Sequence, residues 1–222
     1  MKEKRVGVPE SVGGETYLSL VTCGPQLEVA LYGDTQRTTS LVRLGGVAPR
    51  STLVLAAADL LIEDAGLTPE AVSRIVVSRG PGSFTGIRAG LATAAGLAAA
   101  TGAQIQAYDS LMMLAARCGG SGTVWSAQPG RRGEVYARGY EIEEDRAPHA
   151  LGEIEIVAVD RAAERGPWVA AEALDLGGAE RAPTPRSSAE ALLRLVMLGV
   201  TADPAEPLYV EGPPIHRPDD GP

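Results

Sequence analysis

The stretch S-R-G-P-G-S-F-T-G-I-R-A-G, residues 78–90, gathers the residue types of this chain best suited to holding an anion. Its glycines and proline stand between an apolar run and an alanine-rich helical pattern. A glycine-rich turn entering a helix aims backbone N–H groups and the positive end of the helix dipole at one point, which suits a phosphate or carboxylate. Gly80, Gly82, Ser83, Thr85, Gly86 and Arg88 are the candidate anion- or nucleotide-binding residues, with Arg79 adding charge. The spacing G-x-G-x-x-x-G is one residue longer than the dinucleotide fingerprint and lacks the Lys-Ser/Thr ending of a P-loop. A second account needs no ligand. Pro81 presets a turn, Gly80 and Gly82 can take positive φ, and Gly86, Gly90 and Gly96 leave a bare helix face on which another element can pack closely.

Other chemistry is sparse. His149 follows Pro148 in a polar segment and His216 sits in a proline-rich tail, so both read as solvent-exposed and neither has metal-ligand spacing. No G-x-S-x-G elbow occurs. Cys23 and Cys118 form no spacing motif and read as reduced, small apolar residues. Asp59, Glu63 and Asp64 read as a solvated helix face, and Arg131-Arg132 as weak evidence for an acidic partner or nucleic acid. The expectation is therefore no catalytic residue, no metal and no cofactor.

The elements that must position the loop follow from the hydrophobic pattern. T-Y-L-S-L-V-T-C and L-E-V-A-L-Y-G-D read as a β-hairpin, with R-T-T-S-L-V-R-L-G as a third strand. Residues 51–66 read as a helix capped by Ser51 or Thr52 and ended by Gly66. A short helix opens at Thr68-Pro69-Glu70. A strand (R-I-V-V-S), the small-residue helix ending near Gly102, a strand (Q-I-Q-A-Y) and a helix capped by Ser110 complete an α/β half. C-G-G-S-G, residues 118–122, reads as a linker. Beyond it come strands in T-V-W-S-A-Q, E-V-Y-A-R-G-Y-E-I-E and E-I-E-I-V-A-V, then a helix with a Ser187/Glu190 capping box. The expected division is a flexible extension over 1–15, an N-terminal α/β lobe over 16–117 and a smaller C-terminal α/β lobe over 118–222. The net charge of −8 argues against wide non-specific nucleic-acid binding. The N-terminus has no signal-peptide core, and a cytoplasmic location is expected.

The loop and its helix, with R-R-G-E-V-Y-A-R-G-Y at 131–140 and P-L-Y-V-E-G-P-P-I at 207–215, resemble the TsaB (YeaZ) family of tRNA threonylcarbamoyladenosine biosynthesis. The resemblance covers roughly residues 16–215. It implies a two-lobed fold of the actin, sugar-kinase and Hsp70 type, with ribonuclease H-like lobes. It implies a non-catalytic scaffold subunit that binds a TsaD-like catalytic subunit, is joined by a TsaE-like ATPase, and self-associates as a homodimer through the same surface. Leu53, Ala57, Leu60, Leu61, Ile87, Gly90, Leu91 and Ala94 are the implied partner-interface residues. The sequence departs from the family pattern at Val21, where the family has Asp, at Pro49, where it has His, and around Pro129-Gly130. The alternatives are an ATP-dependent phosphotransferase or ATPase of the same fold, which Val21 leaves without an acidic metal ligand, a peptidase, and a diverged homodimeric paralogue with another partner. On the family reading the glycines serve a tight strand-to-helix crossing and a close-packed helix face first, and an anion second.

Overall fold

The computed structural model describes residues 14–33, 38–46, 50–171 and 173–211. Residues 1–13, Pro49, His216 and the rest of the tail beyond Glu211 lie outside the described residues.

The first sheet is built from β1 (Thr16–Val21), β2 (Leu27–Gly33), β3 (Thr38–Leu44), β4 (Arg74–Ser78) and β5 (Gln104–Tyr108), in the order β3-β2-β1-β4-β5. The expected hairpin and third strand form its antiparallel half, and β1, β4 and β5 are parallel. Strands β1, β2 and β4 are buried almost throughout, because helices cover both faces of the sheet. Helices α1 (Arg50–Asp64) and α2 (Phe84–Thr101) pack together against this sheet. Helix α3 (Ser110–Ala116) packs against both α4 (Ser188–Met197) and the second sheet.

Two expected helix caps are displaced. Helix α1 begins at Arg50, so Ser51 and Thr52 lie inside its first turn. Asp109, not Ser110, caps α3: its carboxylate accepts from Leu111 N, and Ser110 is the first helical residue. Carboxylates outrank most residues at this position because they also meet the positive end of the dipole. The expected ends hold. Gly66 and Gly102 adopt φ of +66° and +78° just past α1 and α2, and the capping box of Ser187 and Glu190 opens α4.

The second sheet is built from β6 (Gly122–Pro129), β7 (Glu134–Ile142), β8 (His149–Ala150), β9 (Glu155–Ala158) and β10 (Trp168–Val169), in the order β10-β6-β7-β8 with β9 also paired to β7. Trp168 fills the separate core here, fully buried, with its indole N–H satisfied by Ala162 O at 2.9 Å. Contacts cross the expected boundary at 117/118. Helix α4, from the C-terminal half, packs against β1, β2 and β4 of the first sheet. That sheet exposes one more apolar face than the N-terminal half alone can cover, and the amphipathic α4 supplies the cover. Among the described residues no helix is long and apolar enough to cross a membrane.

Candidate functional site

The glycine loop leaves β4 at the carboxyl end of the parallel strands, where ligands of open α/β sheets bind. Gly80 and Gly82 have φ of +107° and +145°, a region that L side chains rarely adopt. A β-carbon at Gly80 would lie 2.6 Å from Leu208 O, and one at Gly82 2.5 Å from Cys23 O. Helix α2 then runs directly over the end of β1. A β-carbon at Gly86 would meet Thr22 O at 2.1 Å, and one at Gly90 would meet Thr22 Oγ1 at 2.3 Å. The glycines are thus required by close approach of backbone to backbone. Gly96, in the same helix, faces open space.

The loop's own polar groups are largely committed within the chain. Ser83 N donates to Cys23 O (2.8 Å), Gly86 N to the capping Ser83 hydroxyl (3.2 Å), and Gly80 O accepts from Ser110 N (2.7 Å). Arg88 lies over the Phe84 ring and donates to the Tyr209 hydroxyl. Gly80 and Gly86 are buried, while Thr85 and Arg88 are exposed. The six candidate anion ligands are neighbours in space, but packing inside the chain accounts for the glycines, and Ser83 serves as a helix cap.

The expected interface residues divide by burial. Ala57, Leu61, Ile87, Gly90, Leu91 and Ala94 are buried inside the single chain. Leu53 is partly buried against that core. Leu60 is 56% exposed and Leu55, which the sequence did not single out, is 48% exposed. Ala56 and Leu60, an i, i+4 pair, lie on the outer face of α1 with Leu55 beside Ala56. Ala92, Ala95, Gly96 and Ala99 form the exposed stripe of α2. Asp59, Glu63 and Asp64 are solvated, as expected.

One pocket between the sheets, beside the β1–β2 turn, is small. Val21, Gln26, Glu28, Gln128 and Ser188 help line about 70 Å³ of space, against roughly 300–1,000 Å³ for small-molecule sites. Its acid is Glu28, engaged with Ala189 N (3.0 Å) and Arg43 (3.1 Å). Among the described residues no three of His, Cys, Asp and Glu cluster closely enough to hold a metal ion. Both cysteines are free and buried, and burial pushes both thiols up, Cys118 to about 11. His149 is exposed on β8.

The groups with perturbed chemistry include Asp109, which the sequence reading missed although an Asp directly before a helical run is a cap signal. Burial pushes its carboxyl up to about 6, opposed by the N–H of Leu111, by Arg138 at 3.4 Å and by the N–H of Met112, and assisted by Asp203. Cys23 and the Tyr140 phenol also feel its charge. Its folded pKa lies above the unfolded value. The stability it contributes is therefore intact below pH 3.8 and is lost as the pH rises to about 6. That interval corresponds to roughly 3 kcal/mol. Asp109→Asn keeps an acceptor for Leu111 N and has no proton to lose. Unfolding measured from pH 4 to 7 is expected to show a flatter slope for this variant than for the parent. Parallel slopes would assign the pH dependence to another group.

Comparison with known proteins agrees with this architecture. A family model described as TsaD, tRNA N6-adenosine threonylcarbamoyltransferase, matches residues 34–200. The tRNA threonylcarbamoyladenosine biosynthesis protein TsaB of Bacillus subtilis (strain 168) is 36% identical over 94 residues, which are 42% of this chain and 41% of that protein. The match thus spans well under half the length of that curated relative. YeaZ from Pseudomonas aeruginosa superposes with a TM-score of 0.67 at 27% identity, over 88% of this chain and 100% of that one. A second Pseudomonas aeruginosa structure, described as an uncharacterised protein with similarity to peptidase YeaZ, gives 0.69 at 25% identity, over 89% and 100%. The two-lobed α/β architecture of the actin and Hsp70 type is that of these relatives. The sheet order, the glycine loop seated on β1 and these matches together place the chain in the TsaB/YeaZ family, within the wider group that the TsaD model describes.

Proposed function

We propose that this chain is a non-catalytic scaffold subunit of the machinery that makes N6-threonylcarbamoyladenosine at position 37 of tRNA. It docks on a TsaD-like catalytic subunit through the outer stripes of α1 and α2, and a TsaE-like ATPase joins the assembly. In isolation the same stripes pair two copies, and the work takes place in the cytoplasm. The observation that carries this reading is the exposure of Leu55 and Leu60 beside a helix whose outer face is alanine and glycine. Small side chains let a partner helix approach closely, and two exposed leucines supply apolar anchors. The internally engaged Glu28 supports a binding role over a phosphotransferase or ATPase.

The test is co-purification with the TsaD-like protein of the same organism, followed by light scattering. A one-to-one complex is expected. Leu60→Arg should weaken it at least about tenfold while changing stability by no more than roughly 0.5 kcal/mol. A complex indifferent to both Leu60→Arg and Leu55→Arg would move the interface elsewhere. Sustained nucleotide hydrolysis by the isolated chain would favour an enzyme.

A further inference from the structure

We propose that residues 203–211 are an inter-lobe clasp that fixes the first turn of α2, with Arg79 as its positioning residue. This segment has no helix or extended strand, yet it grips four parts of the fold in succession. Asp203 N donates to Ala107 O at the end of β5 (2.9 Å). Arg79, just past β4, pairs with Asp203 (3.4 Å) and donates from Nε to Glu206 O (2.9 Å). Leu208 N donates back to Arg79 O (2.8 Å), which seats the Leu208 carbonyl on Gly80. Tyr209 then stacks on Phe84, the first residue of α2, with ring centroids 5.1 Å apart. Arg88 closes over the other partners, 4.1 Å from the Phe84 centroid and hydrogen-bonded to the Tyr209 hydroxyl (3.1 Å). Glu211 finally reaches the second sheet, at 3.1 Å from both Arg131 and the Tyr136 hydroxyl.

Each exposed ion pair here is weak alone. Their order along one short segment is what ties the glycine loop to the β6–β7 hairpin. The segment also walls a groove of about 590 Å³ between Pro81, Phe84, Pro129 and Tyr136. Thr85 and Arg88 continue the exposed stripe of α2 that includes Ala92 and Ala95, at helical spacing. The clasp therefore sets the end of the docking stripe. Its consequence for binding rests on the scaffold reading above, whereas its mechanical role does not.

Amide hydrogen exchange on the full chain reads the clasp with no partner present. Arg79→Ala is expected to raise exchange roughly tenfold across residues 80–88 as well as within the segment. Tyr209→Ala should do so at 84–88, and Glu211→Ala at 130–136. Arg161→Ala, at a surface pair remote from the segment, should change neither. Faster exchange confined to 203–211 in all three variants would overturn the proposal. If Arg79→Ala fails to fold, Tyr209→Ala and Glu211→Ala decide. In the complex with the TsaD-like subunit, Tyr209→Ala should lower affinity several-fold. If the parent chain does not bind that subunit at all, the scaffold reading falls and the exchange result still decides the clasp.

Discussion

Gly86→Ala is expected to destabilise the chain by about 3 kcal/mol or more, the upper end of overpacking costs. The added methyl would fall 2.1 Å from Thr22 O and 3.0 Å from Thr22 C. Those atoms are backbone at the end of β1, the central strand of the first sheet, and they cannot rotate away. The helix must therefore lift off the sheet, which disturbs the packing of Ile87, Leu91 and Ala94 together. Gly90→Ala should cost less, because its clash is with the hydroxyl of Thr22 rather than with backbone. Gly96→Ala should instead stabilise by roughly 0.5–1 kcal/mol, since it meets nothing within 4 Å and only removes the helix penalty of glycine. Denaturant unfolding of the three variants reads the ranking directly. If Gly86→Ala proved no worse than Gly96→Ala, the close approach of α2 to β1 would be wrong.

The strands were legible because their apolar runs are bounded by glycine and proline, and α4 because its capping box and apolar stripe agree. The inward face of α2 was not. Alanine and glycine fill ten of the eighteen positions of that helix, so the polar–apolar contrast that would mark the core side is weak. Ile87, Leu91 and Ala94, among the interface residues that the family resemblance implied, are buried in the isolated chain. Leu55 escaped notice for the converse reason. It is as apolar as Val54 next to it, and only tertiary packing turns one out and the other in.

Long-range features were also hidden. Nothing local in D-P-A-E-P-L-Y-V-E marks it as lying on the glycine loop, because its partners Arg79, Phe84 and Arg131 come from distant turns. The return of α4 to the first sheet is a second case. Its sequence signal was a lone acid near the start of a buried strand, Glu28 in L-E-V-A-L-Y-G. A carboxylate in such a run implies a specific partner, since an unpaired one would be too costly to bury.

Glu28→Ala is accordingly expected to cost about 3 kcal/mol, the range for a hydrogen bond to a charged group whose loss strands a buried donor. Glu28 is only 4% exposed, and its carboxylate accepts from Ala189 N in the first turn of α4. Ser19, fully buried on β1, donates to Ala189 O at 2.9 Å. Two neighbouring strands thus grip both backbone groups of one helical residue. The carboxylate also meets the positive end of the α4 dipole, where Ser187 and Glu190 satisfy the adjacent groups. Arg43, on edge strand β3, completes the pair but is 46% exposed, so Arg43→Ala should cost no more than about 1 kcal/mol. Glu28→Gln, which keeps an acceptor and loses the charge, should fall between them. For a chain of this size the Glu28→Ala loss lowers Tm by roughly 6–12 °C, with hydrogen exchange rising first in α4. Equal losses for Glu28→Ala and Arg43→Ala would mean that the ion pair, not the grip on α4, holds the C-terminal half to the first sheet.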